Sequence, residues 1–139
     1  LASDFIVGFP GETAEDFDRT VALMERVRFQ NSFVFKYSPR PGTDAASLSD
    51  DVSEDEKKRR NQVLLDVQER TSLDLNRTRI GRKVEILVEG PSKRDPKRQT
   101  GRTDTNQIVN FEAGRDLAGT FATVEITGAG ATALTGVLP

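Results

Sequence analysis

The sequence predicts an α/β half followed by a small all-β half, and three observations support this division. Short apolar runs separated by a helical pattern occupy the first half. Beyond Ile80-Gly81 the helical period gives way to alternating apolar and polar residues with frequent turn signals. The charge also changes sign, because residues 1–78 hold 11 basic and 15 acidic side chains, whereas residues 79–139 hold 9 and 7. We therefore expect two domains, with the boundary between residues 78 and 79.

The first half begins with a strand, a helix and a second strand. Asp4–Phe9 is an apolar run closed by a Pro-Gly turn, which predicts a buried strand. A helix to about Arg28 follows, and it begins with a capping box that pairs Thr13 with Asp16. A second buried strand is predicted over Asn31–Tyr37. Strand, helix and strand with connections this short predict a βαβ unit with two parallel strands.

A long helix completes the first half, after a polar, acidic surface loop over residues 43–52. Ser53 and Glu56 form a second capping box, and the helix is predicted to continue to about Thr78. We expect Lys57–Arg60 to be exposed near its start. Apolar side chains and one threonine recur along one face at helical spacing, namely Leu64, Val67, Thr71 and Leu75.

The second half reads as a series of short strands. Apolar residues alternate with polar ones around Ile86 and again around Ile126. Glycine turn signals separate these runs, at Gly90, Gly101, Gly114, Gly119 and Gly128 to Gly130. Four or five short strands within some sixty residues predict a small antiparallel barrel, and we expect five.

The composition excludes several classes of chemistry. The chain has no cysteine and no histidine, so it offers none of the usual ligands for zinc or iron–sulfur clusters and no Cys or Ser–His nucleophile. No apolar run approaches the ~20 residues that span a bilayer, and no signal peptide is visible, so we expect a soluble, cytoplasmic protein. The chain begins at Leu1, inside a predicted strand and without an initiator Met, which suggests a piece of a longer protein.

Two loops of the first half are candidate ligand sites. The loop Gly8–Thr13 combines glycines, a proline and a helix N-terminus, which together allow close approach of a ligand to free N–H groups. The loop Ser38–Thr43 follows the second strand and holds Arg40 between two prolines, as a contact for a carboxylate or phosphate. The carboxyl ends of neighbouring parallel strands lie together, so both loops can face one site. The alternatives are a tight, capped turn and a proline-rich connector.

A basic segment in the second half is a candidate nucleic-acid site. Residues 79–102 hold eight basic and three acidic side chains. Four of the basic residues are predicted to lie in the loop between the first two barrel strands, namely Lys93, Arg94, Lys97 and Arg98. Such a loop on a small barrel is typical of nucleic-acid binding, and the alternative is a solvated, charged surface. With only Phe111 and Phe121 as aromatic residues, the second half is expected to bind RNA weakly and through phosphates.

Four motifs follow one another along the chain, namely DFIVGFPGET at 4–13, FKYSPRPGT at 35–43, VEGPSK at 88–93 and GRTxxN at 101–106. In this order and at this spacing they resemble the C-terminal part of the radical S-adenosylmethionine methylthiotransferase family. The resemblance covers essentially the whole chain. Within the family, KYSPRPGT at 36–43 favours the branch that acts on dimethylallyl-modified tRNA adenosine.

The resemblance implies that residues 1–78 are the last strands and helices of a radical S-adenosylmethionine barrel, of the partial TIM type, and that residues 79–139 are a TRAM domain. It implies methylthio transfer to an N6-modified adenosine beside the anticodon, with S-adenosylmethionine and two 4Fe–4S clusters in the parent enzyme. None of these cofactors is expected in this piece, which lacks the cluster ligands and is expected to be inactive alone. The residues that would line the S-adenosylmethionine site are Gly8, Pro10, Gly11, Glu12, Ser38, Pro39 and Arg40. Those that would meet tRNA, with the basic loop, are Lys93, Lys97, Arg98, Arg102 and Asn106.

Two alternatives remain open. The chain could be a stand-alone RNA-binding adaptor in which residues 1–78 support the barrel. It could also belong to a sibling methylthiotransferase that acts on a ribosomal protein or on another modified adenosine. As part of a larger barrel, residues 1–78 are expected to self-associate, to exchange strands or to be partly disordered, because strands that are apolar on both faces need neighbours.

Overall fold

The computed structural model describes residues 1–93 and 95–139 of the chain. These residues form two compact units, Leu1–Thr71 and Ser72–Pro139. Each unit has its own cluster of buried apolar side chains. In the part of the chain that is described, no helix is long and apolar enough to cross a membrane.

The first unit contains a βαβ arrangement followed by most of a long helix. Strands β1 and β2 pair in parallel, with Ala2 opposite Asn31 and Val7 opposite Lys36, so the predicted parallel βαβ unit is confirmed. The polar loop after β2 contains a short 3₁₀ helix that was not predicted. The elements in chain order are β1 (Ala2–Val7), α1 (Ala14–Val27), β2 (Asn31–Lys36), the 3₁₀ helix (Asp44–Ser47) and α2 (Glu54–Arg77).

The helix starts follow the capping residues read from the sequence. At α1 both halves of the capping box between Thr13 and Asp16 are present. At α2 the Ser53 hydroxyl accepts a hydrogen bond from the Glu56 N–H at 3.2 Å. The Glu56 carboxylate accepts from Nε of Arg59 and Nε of Arg60, each at 2.8 Å. The hydrogen bond from Arg59, with that from Arg60, lowers the pKa of Glu56 to about 2.

The two strands are buried on one face only, so the prediction of fully buried strands is wrong. On the inner face the core of the unit forms around Val7, together with Phe17, Met24, Leu64 and Val67. The outer face exposes Ile6, Phe33 and Phe35, which are 57%, 60% and 52% accessible. Side chains alternate across a strand, and the described elements of this unit cover only one side of the sheet.

The second unit is a closed barrel of five strands in the order β3-β4-β5-β7-β6. The five-stranded barrel is confirmed, but the expectation that it is antiparallel throughout is wrong. Strands β5 and β7 pair in parallel, with Val109 opposite Leu134. A ring with an odd number of strands cannot alternate direction all the way round, so one parallel pair is required. The strands are β3 (Lys83–Pro91), β4 (Arg98–Thr103), β5 (Ile108–Glu112), β6 (Phe121–Ala129) and β7 (Leu134–Val137).

The barrel interior is filled by alternate residues of these strands. The alternation predicted around Ile86 and Ile126 places both side chains in the core, with Val88, Val109, Phe111, Val124 and Leu134. Asn76, in the last turn of α2, donates to the carbonyls of Gly130 and Ala131. That turn therefore packs with the barrel and belongs to the second unit.

Candidate functional site

The two candidate loops of the first unit lie together at the carboxyl ends of β1 and β2. The Tyr37 N–H donates to the Val7 carbonyl at 2.8 Å. The rings of Phe9 and Tyr37 meet edge to face with centroids 5.1 Å apart. The βαβ geometry thus brings Gly8–Thr13 and the segment after Tyr37 to the same edge of the sheet.

The backbone of the first loop is held by carboxylates of the chain itself. Gly8 has a φ of 70° and Gly11 a φ of 82°, values that glycine adopts readily. The Gly8 N–H donates to the Glu12 carboxylate at 2.5 Å. The Gly11 N–H donates to Asp51 Oδ1 at 2.8 Å. These two donors, which the sequence offered to a ligand, are therefore engaged internally.

Arg60 fixes the position of Glu12. Its Nη1 donates to the Glu12 carboxylate at 2.6 Å and to the Glu12 carbonyl at 2.9 Å. The side chains are only 6% and 12% exposed. The guanidinium also lies over the Phe17 ring at 5.5 Å. Glu12 thus closes the loop onto α2 by a charge-assisted, largely buried contact.

Lys57 lies directly beneath the same loop. A Cβ placed on Gly8 would overlap the Lys57 Cγ. The Lys57 side chain is 1% exposed, and its ammonium contacts the Asp50 carboxylate at 2.6 Å and the Glu54 carboxylate at 3.4 Å. The hydrogen bond to Asp50 raises the pKa of Lys57 against the opposite effect of burial. The lysine therefore stays charged, and it supports the loop from below.

The expectation that Lys57–Arg60 are exposed is wrong for the first and last of these residues. Lys58 and Arg59 are exposed as expected. Lys57 and Arg60 continue the spacing of the buried Leu64 and Val67 toward the start of the helix. Extending that helical face by two turns toward the start of α2 would have identified both as buried positions. Charged side chains are tolerated there because their carboxylate partners compensate the cost of burying the charge.

The second loop is open to solvent. Ser38, Pro39 and Arg40 are all exposed, whereas Pro10 in the first loop is half-buried. The Arg40 carbonyl accepts hydrogen bonds from the N–H and the hydroxyl of Thr43. The turn presents the Arg40 side chain outward at the edge where the first loop also lies.

The residues of this unit do not provide a site for an iron–sulfur cluster. The chain has no cysteine. Among the residues that the structure describes, no group of three or more possible ligand side chains could hold a metal ion. No step through a cluster follows from this chain.

The described basic side chains that were expected to meet RNA lie on and beside β4. Lys93 and Lys97 are exposed in the connection between β3 and β4, as predicted. Arg98 was predicted in that connection, which is wrong, because it begins β4; Arg98 and Arg102 alternate with buried residues and lie on the outward face of the strand. At about 3.3 Å per residue they are about 13 Å apart along the strand. Arg94, which the sequence placed in the same loop, lies outside the described residues.

Arg102 and Asn106 are brought together by the turn after β4. Arg102 Nη1 donates to Asn106 Oδ1 at 3.0 Å, and its Nε contacts Glu89 at 2.9 Å. Asn106 has a φ of 65°, a left-handed value that asparagine tolerates. Arg98 is held more loosely, with Asp95 and Glu112 each at 3.6 Å. We name the set Lys93, Lys97, Arg98 and Arg102 the basic face.

Sequence reasoning missed one feature beside the basic face. Phe121 is 70% exposed, the highest value among the aromatic side chains described, while Phe111 is fully buried. The expectation of binding through phosphates rested on a near absence of exposed aromatic stacking groups in this half, and Phe121 is one such group. The alternation along β6 could have predicted this exposure, because inward-facing Val124 and Ile126 place Phe121 on the outward face.

Comparisons with known proteins relate the barrel to one domain family and most of the chain to a group of longer proteins. Residues 77–138 match the family model of the TRAM domain. The chain is 52% identical over 127 residues to a tRNA-2-methylthio-N(6)-dimethylallyladenosine synthase of Haemophilus influenzae (strain PittEE), and the match covers 91% of this chain and 27% of that protein. Proteins of the same name from Actinobacillus pleuropneumoniae serotype 5b (strain L20) and Pasteurella multocida (strain Pm70) are 50% and 51% identical over the same shares. The resemblance to part of the methylthiotransferases is confirmed, and the chain spans 27% of the length of these relatives.

Proposed function

We propose that this chain is part of a tRNA methylthiotransferase and that its barrel supplies RNA binding. The observation that carries the proposal is the identity of 52% over 91% of the chain to an enzyme named for methylthio transfer to tRNA. The whole protein would add a methylthio group to an N6-modified adenosine beside the anticodon, and the partner of the barrel would be the anticodon stem-loop.

The two proposed roles divide at the boundary between residues 78 and 79 that the sequence predicts. Residues 1–78 would be the end of a radical S-adenosylmethionine barrel, and residues 79–139 the RNA-binding part. The parallel strands β1 and β2 and the covering helices support the first assignment. The basic face supports the second, because cations on one face of a small barrel attract the RNA backbone.

The loop residues of the first unit would serve one side of the S-adenosylmethionine site. Gly8, Pro10, Gly11 and Glu12 form the supported loop, and Ser38, Pro39 and Arg40 the open one. When bound in the whole enzyme, S-adenosylmethionine and the clusters would supply the methyl group and the radical chemistry. The residues of this chain would shape the pocket wall, with Lys57 and Arg60 holding it in place.

We expect no measurable binding of S-adenosylmethionine to this chain alone. The N–H groups of Gly8 and Gly11 are already engaged by carboxylates, and no cysteine is present to hold a cluster. Titration calorimetry should show no heat of binding. Micromolar affinity for the isolated chain would contradict this assignment of half a site.

A chimeric enzyme tests the proposed function directly. The segment of the Haemophilus influenzae synthase that aligns with this chain would be replaced by this chain, in cells that lack their own activity. We expect methylthio-modified adenosine in their tRNA, measured by mass spectrometry of nucleosides. The matched variant with Lys93, Lys97 and Arg102 changed to alanine should reduce the modification. A chimera that folds and binds its clusters but leaves tRNA unmodified would contradict the proposal.

A further inference from the structure

Three outward-facing side chains lie side by side on adjacent strands of the barrel surface, with an arginine at one end and a phenylalanine at the other. Leu87 on β3 lies opposite Arg102 on β4 and opposite Phe121 on β6. Adjacent strands are about 4.8 Å apart, so Arg102 and Phe121 are about 10 Å apart at the backbone. Leu87 and Phe121 are 44% and 70% exposed. The row therefore joins an apolar surface to one end of the basic face.

The row lies in a groove of about 450 Å³ that also contains Arg79, Glu85 and Asp104. Its charged side chains balance, with two guanidinium groups and two carboxylates. With no net charge, the groove offers no net attraction to a bare phosphate chain. A flat, neutral group could lie against the Phe121 ring and the Leu87 side chain, while a negative group attached to one side of it contacts Arg102.

We propose that Phe121 and Leu87 form a platform on which one unpaired RNA base stacks, with its phosphate at Arg102. This inference rests on the proposed function, because the RNA is the one that the basic face binds. Every base has a π-face and stacks on an exposed aromatic ring without a sequence requirement. Bases in RNA loops are unstacked and accessible to such a ring, whereas paired bases are not.

The contacts of Arg102 leave it suited to this role. Among the described residues, Arg102 Nε donates to the Glu89 carboxylate and Arg102 Nη1 donates to Asn106 Oδ1. Nη2 is thus available to a phosphate oxygen, and the other two contacts fix the plane of the guanidinium. Phe121 has no such restraint, since its ring is mostly in solvent.

The test compares Phe121→Ala with the wild-type 139-residue chain on two RNAs. One is an anticodon stem-loop with an unpaired loop, and the other is a fully paired, two-stranded RNA duplex with the same number of nucleotides. We expect Phe121→Ala to weaken stem-loop binding by roughly 5- to 150-fold, the range measured for loss of one stacked base. Binding of the paired RNA and the salt dependence of both should not change. Phe121→Tyr should restore the affinity, and Phe121→Leu should not.

Val137 provides the matched control, because it is an exposed apolar side chain (47%) on the neighbouring strand β7. Val137→Ala should bind both RNAs like the wild type. The chain has no tryptophan, so Phe121→Trp and Val137→Trp each introduce a single reporter. Stem-loop RNA should quench the fluorescence of the first and not of the second.

The outcomes separate this inference from the proposed function. Salt-dependent binding by the wild type that is unchanged in Phe121→Ala overturns the stacking platform and leaves the proposed function intact. No binding of RNA by the wild type overturns both. Equal weakening on paired RNA also overturns the platform, because paired bases cannot stack on the ring.

Discussion

Lys57 and Arg60 are cations buried against the loop that follows β1. Each has a carboxylate partner, Asp50 for the lysine and Glu12 for the arginine. A charge leaves water at a high cost unless it is paired and hydrogen-bonded. The pairs therefore permit burial and determine where the loop lies, since a displaced loop would leave one charge unpaired.

Removing the charge of Lys57 should destabilise the first unit. Lys57→Met keeps the aliphatic stem that packs beneath Gly8 and deletes the ammonium. We expect a loss of about 1–3 kcal/mol in the free energy of unfolding, at the low end because Asp50 is still 35% exposed and can be hydrated. Urea unfolding measures the loss, and hydrogen exchange at Gly8 and Gly11 should accelerate.

Lys58→Met is the control for this change. Lys58 is the next residue on α2, and its side chain is 64% exposed. Its substitution should stay within about 0.5 kcal/mol of the wild type. If Lys57→Met is as stable as Lys58→Met, the buried ammonium does not support the loop.

At the scale of elements, closure of the barrel depends on close approach between β7 and β6. Gly136 lies opposite Ile126 on β6 and opposite Phe111 on β5. A Cβ at Gly136 would overlap Val124 Cγ1 and lie 2.6 Å from the Glu125 carbonyl oxygen. A glycine is needed here because of this approach, independent of its backbone angles.

We expect Gly136→Ala to destabilise the barrel by about 1–3 kcal/mol, as overpacking of a filled core does. Thermal unfolding followed by far-ultraviolet circular dichroism is the measurement. Gly114→Ala is the control, since a Cβ there would meet nothing within 4 Å. That variant should be as stable as the wild type or slightly more stable. Equal melting temperatures for the two variants would contradict tight closure at β7.

The sequence predicted the features that depend on residues close together in the chain. It did not predict those that depend on contacts between residues far apart in the chain. The capping box at Thr13 and the alternation around Ile86 depend on neighbours in sequence, and both were predicted. The parallel pairing of β5 and β7 depends on the number of strands in the ring. The helical spacing marks Lys57 as a buried position, but its pairing with Asp50 depends on a loop whose path no periodic pattern encodes.

The candidate sites were likewise predictable only where residues close together in the sequence determine them. The loops at the ends of β1 and β2 and the positions of Lys93 and Lys97 could be inferred from strand order and charge. The internal engagement of the Gly8 N–H by Glu12 could not, because it depends on Arg60, 48 positions further along the chain. Phe121 was in the sequence, but its exposure became clear only once the inward residues of β6 were known.

At the scale of the whole molecule, the first unit presents an unpartnered apolar sheet. Phe33 and Phe35 stack with their centroids 6.4 Å apart on the face that the helices do not cover. The two-stranded sheet also has unpaired edges, which invite pairing with another chain. The expected self-association of this unit remains a prediction, and this face and these edges are where it would occur.

Sedimentation velocity should detect the association and locate it. We expect the wild-type chain to form dimers or larger species at micromolar concentration, and Phe35→Glu to shift it toward monomer. Leu65→Glu, at an exposed apolar position on α2 (41%), should associate like the wild type. A wild-type chain that is monomeric at all concentrations would contradict the prediction.

The salt dependence of RNA binding tests the central claim most directly. Filter binding of the 139-residue chain to an anticodon stem-loop, from low to moderate salt, reports how many phosphates are neutralised. Three or four contacts from the basic face predict a log–log slope between about −2 and −3, at about −0.7 per phosphate on a single strand. Lys93→Ala or Lys97→Ala should each flatten the slope by about 0.7. An affinity that does not depend on salt, or that is unchanged when Lys93, Lys97 and Arg102 are all alanine, would contradict RNA binding by this face.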